Sequence, residues 1–397
     1  MKNYINIAFL LFSLTFVGCS SEKEIESYYN ASNFTKEIDL NYDQDRDRDT
    51  NITDNYRYQL PVIFHIFYFK DPDNYNLNKI KSTYNISRIA FILQNVNDLW
   101  KGLYDSESIG KDMGVDFVLA THNEKGEKLK YPGIEYVEWA GDSINPQEFM
   151  KWNKKGRSPY TSYIWEPNDY INIMVYPFKS DSKDNTITLG ISHLPYNASE
   201  HELEGLKATD KTFITKSNLA FPYCISINEC YASADYDSKR YTAFLGKDRY
   251  NSSMVDVSST LAHELGHYLG LLHVFAEKDN GEYADDCKDT DHCEDTPSYN
   301  KLEYEKWLTE YLKAPEISFS KAIKRTNCEG EEFNSHNIMD YSVTCADRIS
   351  EDQYKRIRNV LYYSPLIPGP KKNSKTSTET RASYNDEIIN LPITIRK

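Results

Sequence analysis

Two histidines four residues apart, a glutamate directly after the first and a third histidine six residues beyond the second constrain this chain more than any other feature: His263-Glu264-Leu265-Gly266-His267-Tyr268-Leu269-Gly270-Leu271-Leu272-His273. Residues four apart share one face of a helix, so His263 and His267 can offer two imidazoles to a single ion while Glu264 projects beside them. His273 cannot reach the same ion if the helix simply continues. Gly270 removes that obstacle, because a glycine takes positive φ freely and lets the chain turn back. Three neutral nitrogens and one open position make the donor set of a catalytic rather than a structural Zn²⁺. Glu264 would then take a proton from the water on that metal and pass it to a leaving amine. A bare HExxH arises in ordinary helices, and it is Gly270 and His273 that make the pattern specific.

Around the motif, apolar periodicity outlines an α/β (α+β) domain. Leu60–Phe69 is an apolar, β-branched and aromatic run typical of a buried strand. From Ser87 a helix follows, with Ile89, Ile92, Leu93, Val96 and Trp100 on one face and Gly102 as its stop. Val115–Ala120 and Tyr170–Tyr176 read as further strands, and Ile187–Leu194 as a shorter one that carries Gly190 and suits a sheet edge. Helices are predicted over Ser259–Leu269, Leu302–Leu312 and Glu351–Tyr362, the last opened by the capping box Ser350-Glu351-Asp352-Gln353. His65, inside an apolar strand, reads as a satisfied core histidine, and His292 and His336 as surface or supporting residues rather than ligands.

The first nineteen residues bear on the compartment. Lys2, the apolar run Ile5–Val17 and Phe16-Val17-Gly18-Cys19 form a secretory signal that ends on cysteine. This looks like a bacterial lipobox with Cys19 lipidated, the alternative being an ordinary signal with an incidental cysteine. Residues 20–55, rich in Ser, Asn, Asp and Glu, read as a tether, 56–365 as the folded domain and 366–397 as a low-complexity tail. The chain is thus expected on the cell surface or outer membrane, touching the membrane only through its N-terminal lipid. Charge excludes another class of partner. With 46 Lys+Arg against 60 Asp+Glu, a net −14, and no basic stripe, nucleic acid is not expected. Once Cys19 is set aside, Cys224, Cys230, Cys287, Cys293, Cys328 and Cys345 remain, an even number that suggests disulfides in an exported protein.

HExxHxxGxxH followed by the methionine turn Ser335-His336-Asn337-Ile338-Met339-Asp340-Tyr341 resembles the metzincin clan of zinc endopeptidases. Asn337–Tyr341 together with Asp295-Thr296-Pro297 resembles its pappalysin family, over about Tyr58 to Tyr362. The resemblance implies a two-lobe domain: a twisted, mostly parallel sheet with helices above, and an irregular, disulfide-linked lower lobe closed by a helix. It implies a cleft in which an extended protein or peptide substrate pairs with the edge strand Ile187–His193. It places Met339 under the zinc as an apolar floor, a role hard to tell from that of an ordinary core methionine. Tyr341, two residues on, would offer its hydroxyl to the oxyanion of the transition state, or else only pack. The family's order pairs Cys287 with Cys328 and Cys293 with Cys345, leaving Cys224 with Cys230, although four cysteines allow three pairings. Family members also hold calcium near the Asp-Thr-Pro motif, where Asp291 and Thr296 are the matching positions; a solvated acidic loop is the alternative.

Two other function classes fit the sequence. One is a non-catalytic surface-binding lipoprotein on the same scaffold, which the retention of Glu264 argues against. The other is a zinc amidase acting on cell-wall peptides, which the metal chemistry alone would permit.

Overall fold

A computed structural model describes residues 52–104, 110–151, 155–179, 188–229, 257–278, 281–341, 343–372, 388–389 and 394–396. The signal, Cys19 and nearly all of the 20–55 tether lie outside these residues.

The central strand is β1 (Tyr58–Phe69), buried at almost every position because sheet neighbours flank it and helices cover it. Next come α1 (Tyr75–Thr83) and α2 (Ile86–Trp100). Asn85 caps α2 by accepting from the Arg88 amide at 3.0 Å, and the predicted apolar face, Ile89 to Trp100, is buried. The sheet continues with β2 (Val115–Leu119) and β3 (Ile134–Trp139). Both run parallel to β1 on the same edge, one beside Tyr58–Val62 and the other beside Phe64–Phe69. After α3 (Pro146–Lys151), β4 (Ile171–Tyr176) takes the opposite edge of β1, also parallel. Then follow β5 (Gly190–His193), β6 (Tyr196–Ala198), β7 (Lys207–Thr209) and β8 (Ile225–Asn228). β8 lies parallel to β4, while β5 is antiparallel to β8. The mostly parallel sheet that the resemblance implied is therefore present.

The helix that carries the histidines is α4 (Val257–Tyr268), packed between α2 and β5. Beyond it lie α5 (Lys301–Tyr311), α6 (Phe319–Ala322), the hairpin β9 (Lys324–Thr326) with β10 (Glu332–Asn334), and α7 (Glu351–Tyr363). The Ser350–Gln353 capping box at the start of α7 is formed. Phe275, Tyr299, Tyr304, Leu308, Ile323 and Val343 build a second apolar cluster apart from the main core. This gives the lower lobe its own small core.

Two expectations change here. β5 is not a free edge, because β11 (Ile395–Arg396) pairs antiparallel on its outer side, with Ile395 opposite His193 and Arg396 opposite Ser192. The core also runs past Pro365. Leu366 and Ile367 are fully buried, and Gly369 sits against the Tyr58 ring.

The cysteines divide. Cys287 and Cys328 form a disulfide across a sequence separation of 41, with Cα atoms 5.4 Å apart. Cys293 and Cys345, the other pair the resemblance implied, are instead separate buried thiols. Cys293 Sγ turns to the Asp291 carbonyl oxygen at 3.6 Å, while Cys345 lies beside His336. Cys224 is also a free buried thiol, 3.4 Å from Met150 Sδ, so it is not joined to Cys230, which lies outside the described residues. Because the Cys287–Cys328 bond closes a long loop in a region with little regular structure, Cys328→Ser should cost about 2–4 kcal/mol in chemical denaturation. A loss below about 0.5 kcal/mol would show that the loop is held by its other contacts.

Candidate active site

α4 is buried along almost its whole length, and it stops where the sequence said it should. Gly270 has φ +95°, and a Cβ there would meet Val360 Cγ2 of α7 at 2.7 Å, so both the turn and the packing of α7 require glycine. The turn brings His273 back beneath the helix. Its Nε2 lies 3.2 Å from His263 Nε2 and 3.0 Å from His267 Nε2. All three imidazoles are buried.

What the other ring nitrogens do settles the chemistry. His263 Nδ1 lies 2.6 Å from the Ile338 carbonyl, His267 Nδ1 2.8 Å from the Leu271 carbonyl, and His273 Nδ1 2.7 Å from Glu277 Oε1. A carbonyl can only accept, so Nδ1 of His263 and His267 must carry the proton, and the carboxylate asks the same of His273. Each Nε2 then turns a lone pair to the common centre. Burial, helped by His273, pushes the His263 imidazole down to about 3, so it is neutral. Tetrahedral ligands about 2.0–2.1 Å from an ion stand about 3.3 Å apart, close to the separations found here. The donor set and its spacing therefore fit a zinc ion.

Glu264 completes the picture. It is buried, its Oε2 has no hydrogen-bond partner, and burial raises its carboxyl well above the usual carboxylate range. A Cβ on Gly190 of β5 would stand 2.5 Å from Glu264 Oε1, so the strand approaches the carboxylate this closely only because residue 190 is glycine.

Beneath the histidines, Met339 is fully buried against Gly266, where a Cβ would come within 2.5 Å of its Sδ. The ring of Tyr341 lies 5.1 Å from that of His263 and 4.4 Å from that of His273. Sequence reasoning missed what holds this turn. Lys301 Nζ donates to the Tyr341 carbonyl at 2.9 Å, Arg325 Nη2 donates to the Val343 carbonyl at 2.8 Å, and both cations face the Asp340 carboxylate. Burial alone would raise the Asp340 carboxyl, but the Arg325 and Lys301 charges prevail and hold it below the usual carboxylate range.

The other singled-out residues lie elsewhere. His65 is a satisfied core histidine, 2.6 Å from Glu135 and 2.9 Å from Asn172 Oδ1. Asp291 and Thr296 meet each other, the hydroxyl donating to Asp291 Oδ2 at 2.7 Å, and burial pushes the Asp291 carboxyl up to about 8. Among the described residues, the groups of three or more His, Cys, Asp or Glu donors within 4.8 Å of one another are His263–His267–His273 and His336–Cys345–Asp347. Asp291 belongs to neither.

Residues 229–362 match the sequence profile of a peptidase family described as Pregnancy-associated plasma protein-A. Extracellular metalloproteases of Arthroderma benhamiae and Trichophyton verrucosum are 36% identical to the chain over 100 residues, 25% of this chain and 29% of each relative. The chain thus matches less than a third of the length of those relatives. Among solved structures, promirolysin of Tannerella forsythia aligns over 86% of this chain and 93% of its own at 16% identity and a TM-score of 0.46. Mature mirolysin in complex with a cleaved peptide aligns over 76% and 90%, at 16% identity and a TM-score of 0.43.

Asp340 supplies a pH test of the turn. Its folded pKa lies below the unfolded one, so the stability it adds is present above about pH 4 and is lost as pH falls through the folded value. Asp340→Asn leaves Arg325 buried without its counter-charge and Lys301 with Glu305 alone, and should cost about 3–5 kcal/mol at neutral pH. The gap to wild type should narrow on acidification. A gap that does not change with pH would mean that the carboxylate charge does not hold the turn.

Proposed function

We propose, for a chain whose residues 229–362 match the sequence profile of the family described as Pregnancy-associated plasma protein-A, a zinc-dependent endopeptidase that hydrolyses peptide bonds in extended protein substrates. The observation that carries this reading is the convergence of three Nε2 atoms at 3.0–3.2 Å beside Glu264, a buried carboxylate with an oxygen left uncommitted. His263, His267 and His273 are the residues that would hold the metal. A zinc ion supplies a Lewis acid for the scissile carbonyl and makes water acidic enough to attack at neutral pH.

The chain's own residues do the rest. The Ile338 and Leu271 carbonyls and the Glu277 carboxylate keep each Nδ1 protonated and each Nε2 free to bind. Glu264 accepts the proton of the attacking water and returns it to the departing amine. Tyr341, packed on His263 and His273, donates its hydroxyl to the oxygen on which negative charge grows. β5 would position the substrate by main-chain hydrogen bonds, as an added strand is held, once β11 has left its outer side. Export with a lipid on Cys19 places the enzyme at the cell surface, a reading that rests on the sequence signal, and the similar fungal proteins are named as extracellular.

Glu264→Gln should retain its zinc and its melting temperature while cleavage of a peptide library falls by several orders of magnitude. His267→Ala should lose about one equivalent of zinc, the stoichiometry of a three-ligand site. Undiminished turnover in the Gln variant, or unchanged metal content in the Ala variant, would sink the assignment.

For Tyr341→Phe the expected loss in kcat is about 10² to 10³, the usual effect of removing one oxyanion donor, with KM and zinc content little changed. Wild-type turnover in that variant would reduce Tyr341 to packing.

A further inference from the structure

Gly190 brings β5 against the site: a Cβ there would stand 2.5 Å from Glu264 Oε1. One side of β5 is taken by β8, so a peptide strand can join only on the other. That side is occupied by the chain itself. β11 runs antiparallel to β5, with Ile395 opposite His193 and Arg396 opposite Ser192, and the Leu194 amide donates to the Thr394 carbonyl at 3.0 Å. Hydrogen-bonded and non-bonded pairs alternate along an antiparallel ladder, so Arg396 and Ser192 form the next bonded pair after Thr394 and Leu194. Further back, the Ile389 amide donates to the Asn218 carbonyl at 2.9 Å, and Ile389 and Ile395 both pack on the main core.

Direction matters as much as place. As the chain advances from Ile395 to Arg396, its partner steps from His193 to Ser192, toward Gly190 and Glu264. A peptide held antiparallel on β5 with its scissile carbonyl beside Glu264 would set the residues upstream of the cleaved bond opposite Ser192 and His193. Those are the positions that β11 fills. We propose that residues 394–396 are an intramolecular inhibitor, which rests on the endopeptidase reading above and regulates that same site by blocking the upstream half of the substrate path. The block is reversible by construction. A ladder this short opens without unfolding the domain, so the site alternates between a covered form and a free one. Substrate binds only the free form, and its apparent affinity is reduced by the fraction of chains in that form.

Arg396→Pro in the full chain tests this, because proline removes one amide from the ladder and leaves the rest of the molecule unchanged. KM for an extended peptide should fall about three- to tenfold, the worth of one ladder hydrogen bond, with kcat unchanged. Arg396→Ala keeps the amide and should leave KM at the wild-type value. An unchanged KM in the proline variant, or an equal fall in the alanine variant, would overturn the proposal. So would an equal gain for peptides extended only downstream of the cleaved bond. Hydrogen exchange at the Leu194 amide gives a reading without turnover: it should be faster in Arg396→Pro than in wild type, and equal rates would overturn the proposal. A chain that cleaved nothing would instead sink the endopeptidase reading, while the exchange rates still decided whether β11 covers β5.

Discussion

Three imidazole lone pairs turned on one another at 3.0–3.2 Å in a buried place repel. Everything around the motif works to hold them there. The helix fixes only two of them. The third arrives through a glycine turn that α7 packs upon, and each ring is then locked by a partner on its far nitrogen. The locks come from three directions: the methionine turn, the end of α4 itself and Glu277. A disturbance in any of these segments would therefore reach the three-histidine cluster without touching a histidine.

The Met339 turn depends on ions that lie far from it in sequence. Lys301 comes from α5 and Arg325 from β9, yet they meet around Asp340 and seize the carbonyls of Tyr341 and Val343. Buried cations paired with one carboxylate contribute little net stability, but they fix a geometry that apolar packing alone would leave adjustable. Here that geometry includes the Ile338 carbonyl, which orients His263. The small apolar core of the lower lobe is in this sense a support for a hydrogen bond.

How much of this the sequence revealed follows from the length and period of each element. β1, α2, β4 and α7 show sustained runs, and their predicted spans agree with the structure to within a few residues. β3 escaped notice because Ile134-Glu135-Tyr136-Val137-Glu138-Trp139 follows neither period 2 nor period 3.6 on a half-exposed edge. β8 has too few residues to show a period at all. At the site, the motif named His263, Glu264, His267, Gly270 and His273, because all of them act within eleven residues of one another. Glu277 and Gly266 were in plain view but carried no pattern. Lys301 and Arg325 could not be read, since nothing local tells a buried lysine from a solvated one. Of the cysteine pairs that the resemblance implied, Cys287–Cys328 is formed and Cys293–Cys345 is not, because a count of thiols does not say where their side chains point.

The strand β11 lies where an extended ligand of β5 would lie. Ile395 and Arg396 pair with His193 and Ser192, and the Leu194 amide donates to the Thr394 carbonyl at 3.0 Å. Being part of the same molecule, this segment pairs with β5 without the entropy cost of bringing two molecules together. A free peptide at micromolar concentration must therefore outbid it through contacts beyond those three residues. Short peptides have few such contacts, and long extended chains have many. Under the proposed peptidase reading, occupancy of β5 by the chain itself would act as a length filter before any side-chain pocket came into play.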